Sequence, residues 1–157
     1  MESLAVRKRV LLIDDDPRVR ASLKIVLEPI YDILQAGDAQ EGLDVFRKDE
    51  PNLILLDVIL PGTDGLAVLQ TLRMESKMTP VIMLTGTKSV KTAVDAMKFG
   101  AADYLSKPFD VDELRIIIDR VLNSSELERE VKQLRAQVVQ RYAFHNLIGK
   151  SQVMQEI

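Results

Sequence analysis

Four carboxylates and one lysine stand just after short apolar runs in this 157-residue chain, where they could do chemistry. They are Asp14, Asp15, Asp16, Asp57 and Lys107. Carboxylates that are brought together repel one another unless a cation neutralises them or their pKa values rise. Oxygen ligands of this kind suit a hard ion such as Mg²⁺, which leaves room for a phosphate oxygen. The pattern therefore predicts a site for a divalent cation and a phosphoryl group.

The members of this set have different expected roles. Asp16 precedes Pro17 and is predicted to cap a helix, which leaves Asp14 and Asp15 to face the metal. Asp57 ends a fully apolar strand, where an ionised carboxylate is costly, and it could accept a phosphoryl group as an acyl phosphate. Lys107 and magnesium would offset the charge of the transferred group.

Plainer interpretations of the same residues stay open. The three consecutive aspartates could be a solvated turn with a helix cap, and Lys107 could be an ordinary surface lysine. The bond from Lys107 to Pro108 is nevertheless a candidate cis peptide that would aim the lysine inward. Thr85, at the end of another run, could bond a phosphoryl oxygen or only satisfy backbone groups. Tyr104 could be an ordinary core or surface aromatic residue.

Composition excludes several other kinds of site. The chain has no cysteine and one histidine, His145, so disulfides, thiolate zinc sites and multi-histidine metal sites cannot be built from it alone. A net charge of -3 and a pI of about 5.3 give no electrostatic reason to expect direct nucleic-acid binding. No apolar run approaches the ~18 residues of a membrane span, and no signal sequence opens the chain. We therefore expect a soluble, cytoplasmic protein.

The elements that must position the site alternate between strand and helix. Five short runs predict strands, and two of them, LILL and VIML, are apolar throughout, as in strands covered on both faces. The runs are Val10–Ile13, Tyr31–Leu34, Leu53–Leu56, Val81–Leu84 and Asp103–Leu105. Helical spacing follows each run, and Val90, Val94 and Met97 mark the fourth helix, which Gly100 ends. This order predicts an α/β fold, a doubly wound five-stranded parallel sheet whose ligands bind at the carboxyl ends of the strands.

A different pattern follows the predicted sheet. Between Ser124 and Tyr142 four apolar residues recur at steps of 4, 3 and 4, which is a heptad seam. They are Leu127, Val131, Leu134 and Val138. No Pro or Gly interrupts the chain from Val111 to Tyr142, so we expect one continuous helix that pairs with its copy as a coiled coil. The alternative is an amphipathic helix packed back on the domain.

The motifs LLIDDDP, LILLDVILPGTDG, VIMLTG and GAADYLSKPF, in this order, resemble the receiver domain of two-component response regulators. The resemblance covers roughly residues 8–122 and implies a flavodoxin-like (βα)5 fold. It implies that Asp57 is the phosphoacceptor and that Lys107 contacts the phosphoryl group. It also implies that Mg²⁺ is bound by Asp14, Asp15 and Asp57, with the backbone carbonyl of Ile59 as a further ligand.

The same resemblance implies a switch and its partners. A sensor histidine kinase would donate the phosphoryl group. Thr85 and Tyr104 would report it on the face formed by the fourth helix, fifth strand and fifth helix, and this face and the linker helix would form a homodimer. Three residues depart from the family pattern. Ile59 cannot orient a water, so we expect slow self-dephosphorylation, and Thr87 and Lys88 are unusual neighbours of the switch threonine.

The tail FHNLIGKSQVMQEI resembles the opening of the ATPase domain of NtrC-type, sigma-54-dependent activators. It implies three parts: a receiver at 1–122, a coiled-coil linker at 123–142 and, at 143–157, the N-terminal stub of a truncated AAA+ domain. GKS at 149–151 lacks the upstream glycine of a phosphate loop, and no helix-turn-helix is present. We therefore expect a regulatory fragment and not an enzyme. In the whole protein it would control an AAA+ ATPase that acts with sigma-54 RNA polymerase on DNA, by relief of inhibition in preference to direct activation.

Two other functions could use the same residues. A small phosphohydrolase would use Asp57 as a turnover nucleophile, but such enzymes place a second acid two residues later, where Ile59 stands. A flavin- or nucleotide-binding module of similar fold would need glycines and donors after the first strand to hold a phosphate. The acceptors at 14–16 are the wrong chemistry for that task.

Overall fold

The computed structural model describes the backbone of residues 6–86 and 89–156 and the side chains of residues 6–86 and 89–143. Thr87, Lys88 and the side chain of His145 lie outside these ranges. In chain order the strands are β1 (Arg9–Ile13), β2 (Asp32–Ala36), β3 (Leu53–Asp57), β4 (Ile59–Leu60), β5 (Thr63–Asp64), β6 (Val81–Thr85) and β7 (Asp103–Ser106). The helices are α1 (Pro17–Leu27), α2 (Ala39–Asp49), α3 (Gly65–Glu75), α4 (Val90–Lys98) and α5 (Val111–Glu156).

Five strands form one parallel sheet in the order β2-β1-β3-β6-β7, which confirms the predicted doubly wound fold. The chain moves outward from β1 to β2 and then in the other direction through β3, β6 and β7. The order therefore reverses between β1 and β3, where ligands bind in such sheets. Ile13 pairs with Leu56 across these strands, so the next residues, Asp14 and Asp57, emerge at the same level.

The core lies on both faces of this sheet. Alternate residues of one strand enter different clusters, as Leu11 and Ile13 do on one face and Val10 and Leu12 on the other. The central strands β3 and β6 are buried at every position. Burial on two faces explains why their sequences show no alternation of apolar and polar residues.

The helix ends follow local signals that the sequence carries. Asp16 caps α1, its side chain accepting a hydrogen bond from the backbone N–H of Arg18, and Pro17 is the first helical residue. Gly100, at φ 98°, follows the end of α4. These predicted boundaries are confirmed, because capping depends on residues within one turn.

The apolar residues that predicted α4 lie on the surface and not in the core. Val90, Val94 and Met97, which predicted this helix, are largely exposed, and Ala96 is its buried residue. With Tyr104 of β7 they line an open groove on the surface. The periodicity therefore predicted the helix, but its apolar residues line a surface groove and do not face the core.

The chain divides into two compact units, Met1–Leu122 and Asn123–Ile157, and α5 contributes to both. The predicted uninterrupted helix is therefore confirmed. In the first unit its residues Leu114 and Ile118 are fully buried. In the second unit almost every side chain from 123 to 143 is exposed. Among the described residues, no helix is long and apolar enough to span a membrane.

Candidate acidic site at the carboxyl edge of the sheet

Three carboxylates meet at the point where the strand order reverses. Asp14 follows β1 and Asp57 is the last residue of β3, and both are buried, while Asp15 is exposed. One carboxylate oxygen from each of the three lies within 4.8 Å of the others. The parallel register of β1 and β3 produces this cluster from residues more than forty positions apart. An all-oxygen donor set of this kind fits a hard divalent cation.

Lys107 reaches the same cluster from the loop after β7. Its Nζ lies 2.8 Å from Oδ2 of Asp14 and 3.3 Å from Oδ2 of Asp57. The backbone N–H of Lys107 donates to the carbonyl of Thr85, which ties this loop to the end of β6. The candidate cis bond between Lys107 and Pro108 is cis. The lysine thus bridges two carboxylates that would otherwise repel each other.

Backbone donors hold the opposite oxygen of each buried carboxylate. Oδ1 of Asp57 accepts from the N–H of Ile59 at 3.1 Å, and Oδ1 of Asp14 accepts from the N–H of Asp16 at 2.9 Å. Arg20, on α1, donates to the backbone carbonyl of Asp14. Each carboxylate is therefore oriented with one oxygen on the backbone and the other turned to Lys107.

Burial and charge set the protonation of this cluster. Burial raises the pKa of Asp57, and the charge of Asp14 adds to the rise, while the Ile59 N–H and Lys107 act against it. Burial acts to lower the pKa of Lys107, but the hydrogen bonds and charges of Asp14 and Asp57 outweigh it and raise that pKa. Lys107 is consequently a fixed positive charge beside a carboxylate that is costly to ionise.

A short hairpin, which the sequence pattern does not predict, shapes the loop after Asp57. Strands β4 and β5 pair antiparallel around Pro61 and Gly62, whose φ of 72° suits glycine at the third position of a type II turn. The N–H of Gly65 donates to the carbonyl of Val58 at 2.6 Å. A Cβ at Gly65 would lie 2.3 Å from the carbonyl oxygen of Asp57, so only glycine fits without moving that residue.

Gly65 and Arg20 are therefore positioning residues that sequence reasoning missed. The available signal for Gly65 was its place directly after Asp64, which caps α3 by accepting from the N–H of Leu66. No comparable signal marked Arg20, because its contact with the Asp14 carbonyl depends on how α1 lies against the sheet.

The two predicted switch residues lie on neighbouring strands. Thr85 is fully buried at the end of β6. Tyr104 of β7 pairs in register with Met83, and Thr85 follows Met83 by two residues, so Thr85 and Tyr104 project from the same face of the sheet. Tyr104 is half-buried and lines the groove beside α4.

Ile59 lies at the rim of the site. The residue is 62% exposed, and its backbone begins the hairpin that follows Asp57. It brings no polar side chain to the cluster. The structure thus gathers Asp14, Asp15, Asp57 and Lys107, and puts the backbone of Ile59 against Asp57.

Comparison with known proteins identifies the family of this chain. The family model described as "Response regulator receiver domain" matches residues 10–119. The chain belongs to the receiver domain family. Receiver domains are regulatory domains of two-component response regulators that interact with sensor kinases and bind Mg²⁺ at an acidic pocket. The predicted resemblance is therefore confirmed.

Two relatives show which group of response regulators this receiver is related to. It is 37% identical over 151 residues to the nitrogen assimilation regulatory protein NtrX of Azorhizobium caulinodans, covering 94% of this chain and 32% of that protein. It is 38% identical over 151 residues to the C4-dicarboxylate transport transcriptional regulatory protein DctD of Pseudomonas aeruginosa, covering 95% of this chain and 33% of that protein. The chain thus spans about a third of the length of these relatives and is related to NtrC-type activators.

A solved structure supports the fold independently. The CheY-like receiver domain protein of Methanospirillum hungatei superposes with a TM-score of 0.76 at 32% identity, covering 78% of this chain and 99% of that one. Nearly all of that chain therefore corresponds to about four-fifths of this one.

Proposed function

We propose that this receiver accepts a phosphoryl group on Asp57 from a sensor histidine kinase and thereby switches the activity of a larger regulator. The observation that carries the proposal is the contact of Lys107 Nζ with both buried carboxylates, at 2.8 and 3.3 Å, at the sheet's switch point. A lysine so placed is available to a phosphoryl oxygen on Asp57. The backbone N–H of Ile59 holds the other oxygen of Asp57 and orients the nucleophile.

In the proposed reaction a carboxylate oxygen of Asp57 attacks the phosphorus of a phosphohistidine. An O–P bond forms, the P–N bond breaks, and its electron pair leaves with the imidazole nitrogen. Mg²⁺ would be held by Asp14, Asp15, Asp57 and the carbonyl of Ile59, and when bound it supplies positive charge to the transferred group. Lys107 exchanges a carboxylate contact for a phosphoryl oxygen.

The response to phosphorylation would pass through Thr85 and Tyr104. The buried position of Thr85 beside the site and the half-buried position of Tyr104 support this route. A shift of Thr85 toward the phosphoryl group would open space that Tyr104 enters. The groove that Tyr104 shares with Val94 and Met97 of α4 would then change shape, and with it the dimer contacts of the α4–β7–α5 face.

We also infer the context of this receiver. Residues 1–122 would be the receiver, 123–142 a coiled-coil linker that pairs two copies, and 143–157 the start of an AAA+ ATPase domain. The whole protein would act in the cytoplasm on sigma-54-dependent transcription, with the unphosphorylated receiver dimer holding the ATPase inactive. The kinship with NtrX and DctD supports this arrangement. If it is correct, deleting residues 1–122 from the parent protein raises its basal ATPase activity, and a fall would contradict inhibition.

The phosphoacceptor is tested with a small phosphodonor, acetyl phosphate, and Mg²⁺, followed by intact-mass measurement. We expect one hydroxylamine-sensitive phosphoryl adduct that Asp57→Asn abolishes. The matched control is Asp64→Asn, because asparagine also caps helices and this residue lies outside the cluster. Rapid turnover of phosphodonor without an adduct would instead favour a phosphohydrolase.

The lifetime of the adduct is a separate prediction. The exposed side chain of Ile59 offers no hydrogen bond to a water at the site, so we expect slow self-dephosphorylation. Ile59→Asn should shorten the phosphoryl half-life several-fold, measured by the decay of the adduct after donor removal. Met74→Asn, at another exposed apolar residue, is the control. A half-life that Ile59→Asn leaves unchanged or lengthens would contradict the role of this position.

A further inference from the structure

The second unit carries an apolar stripe that nothing within its described residues covers. Leu127, Val131, Leu134 and Val138 are 60%, 43%, 59% and 62% exposed. Their spacing assigns heptad positions d, a, d and a in that order. Val at a and Leu at d is the combination that favours two parallel strands over higher oligomers.

Two charged residues flank this stripe on opposite sides. Glu130 occupies position g and Arg135 occupies position e of the next heptad. Five residues along a helix correspond to a rotation of about 140°, so these side chains cannot pair within one chain. In a parallel, in-register dimer, position g faces the following e of the other helix. The two residues are then complementary across the interface, and symmetry makes two such pairs.

We propose that residues 123–143 pair with a second copy as a parallel, in-register coiled coil whose orientation and choice of partner are set by Glu130–Arg135 contacts between chains. This inference rests on the proposed dimer and adds to it the residues that decide what the linker pairs with. The apolar seam supplies affinity, and the charge pairs select a helix with the same pattern in the same direction.

An antiparallel dimer makes a different prediction. There position e faces e, so Glu128 would meet Arg135 of the other copy, and Glu130 would meet the uncharged Gln137. In the parallel arrangement Glu128 faces Asn123, which is also uncharged. Glu128 and Glu130 therefore serve as each other's controls, since only one of them can pair with Arg135.

Charge exchange in the full 157-residue chain, followed by sedimentation equilibrium, tests the pairing. Glu130→Arg and Arg135→Glu should each weaken the dimer roughly tenfold, because two attractive pairs become repulsive. The double variant should return to within about threefold of the parent, and Glu128→Arg should change the constant by less than about threefold. Glu130→Arg also replaces a like-charge neighbour of Glu126, so loss of helix cannot explain its weaker dimer.

Partner choice is tested by mixing. Chains with Glu130→Arg repel one another, as do chains with Arg135→Glu, but a mixed pair has two attractive contacts. An equimolar mixture should therefore form heterodimers, detected by native mass spectrometry. A mixture that stays as weak as its components would overturn the proposed selection.

Orientation is read directly by cross-linking, because the chain has no cysteine of its own. Val131→Cys and Leu134→Cys should each form a self-disulfide under oxidation, since identical seam positions face each other only in a parallel, in-register pair. Arg129→Cys, at the outward position f, should not. Cross-linking only in a mixture of Val131→Cys and Leu134→Cys, or rescue of Glu128→Arg by Arg135→Glu, would establish an antiparallel pair and overturn this inference.

These outcomes separate the inference from the function on which it rests. A chain that is monomeric at 100 µM, on the order of the highest useful concentration, would overturn both the dimer and its orientation. The adduct on Asp57 would still be measured independently. A dimer without charge coupling would overturn the pairing of Glu130 with Arg135 alone.

Discussion

Two parts of helix α5 have the same apolar periodicity and opposite burial. Leu114 and Ile118, in the first unit, are fully buried, whereas Leu127 and Leu134, in the second, are 60% and 59% exposed. Helical spacing alone does not distinguish them, because both sets recur every three or four residues. The first set is covered by the receiver's own sheet. Nothing among the described residues of the second unit covers the second set.

This contrast gives the two parts different energetics. Burial in the first unit occurs within one chain, so its contribution to the free energy of unfolding does not depend on concentration. In the proposed dimer the linker seam is buried by a second copy, so it would contribute only as the chain dimerises. Substitutions in the first part should therefore change the free energy of unfolding, whereas substitutions in the second part should change the dissociation constant of the dimer.

The largest expected effect is in the receiver core. Ile118→Ala should lower the free energy of unfolding by about 3 kcal/mol at any protein concentration, because it leaves a cavity among fully buried side chains. Urea denaturation at two protein concentrations measures this loss. Ile116→Ala, on the exposed side of the same helix, should stay within about 0.5 kcal/mol. Equal losses in the two variants would break the comparison.

The linker seam should respond next. Leu134→Ala should leave the unfolding of the receiver unchanged but weaken dimerisation by about 2 kcal/mol, roughly thirtyfold, because it removes apolar area from the interface. Sedimentation equilibrium measures the dissociation constant. Gln133→Ala, off the seam, is the control. A receiver that loses stability with Leu134→Ala at low concentration would show that the seam packs within one chain.

Magnesium should affect the first unit without the second. At ten times its dissociation constant, Mg²⁺ should raise the free energy of unfolding by about 1.4 kcal/mol if, as proposed, it binds the acidic cluster of the folded state. Thermal or urea unfolding with and without the ion measures this change. Asp14→Asn should abolish it, whereas Asp38→Asn, a helix cap elsewhere, should retain it. An equal gain in both variants would indicate that the ion binds outside the cluster.

The smallest expected effect concerns the stability that the folded state loses when the buried Asp57 ionises. Because burial raises the pKa of Asp57, the folded state holds this proton more tightly than the unfolded state, and ionisation costs stability. Asp57→Asn should therefore raise the free energy of unfolding at pH 7 by less than about 1 kcal/mol. The gain should vanish as the pH falls below the ordinary value of 3.8. Urea unfolding across this pH range measures the gain, and dimerisation should not change. An Asp57→Asn variant that is less stable than the parent at pH 7 would contradict the expected loss of stability on ionisation.

The fold could be predicted from sequence because its signals are local. Runs such as LILL and VIML, buried on two faces, and caps such as Asp16 before Pro17, depend on neighbours along the chain. The second strand is the least well placed, beginning at Asp32 and ending at Ala36 where the run 31–34 was predicted. It lies at an edge of the sheet, where partial burial weakens the pattern.

Other features depended on the assembled molecule. The hairpin of β4 and β5 is two residues long on each side, too short for a periodic signal. The outward stripe of α4 follows the same spacing as a buried one. Gly65 is required because its backbone packs against Asp57 and Val58. This contact cannot be predicted from the presence of a glycine in the sequence.

By itself, the sequence determined the order of strands and helices, the caps, the heptad seam and the residue types that could do phosphoryl chemistry. Periodicity and capping act over a few residues, so these features can be read from the chain. Only the tertiary structure decided that Lys107 lies between Asp14 and Asp57 and which apolar stripes face the core. Those outcomes depend on the parallel register of distant strands, which is set by packing across the whole sheet.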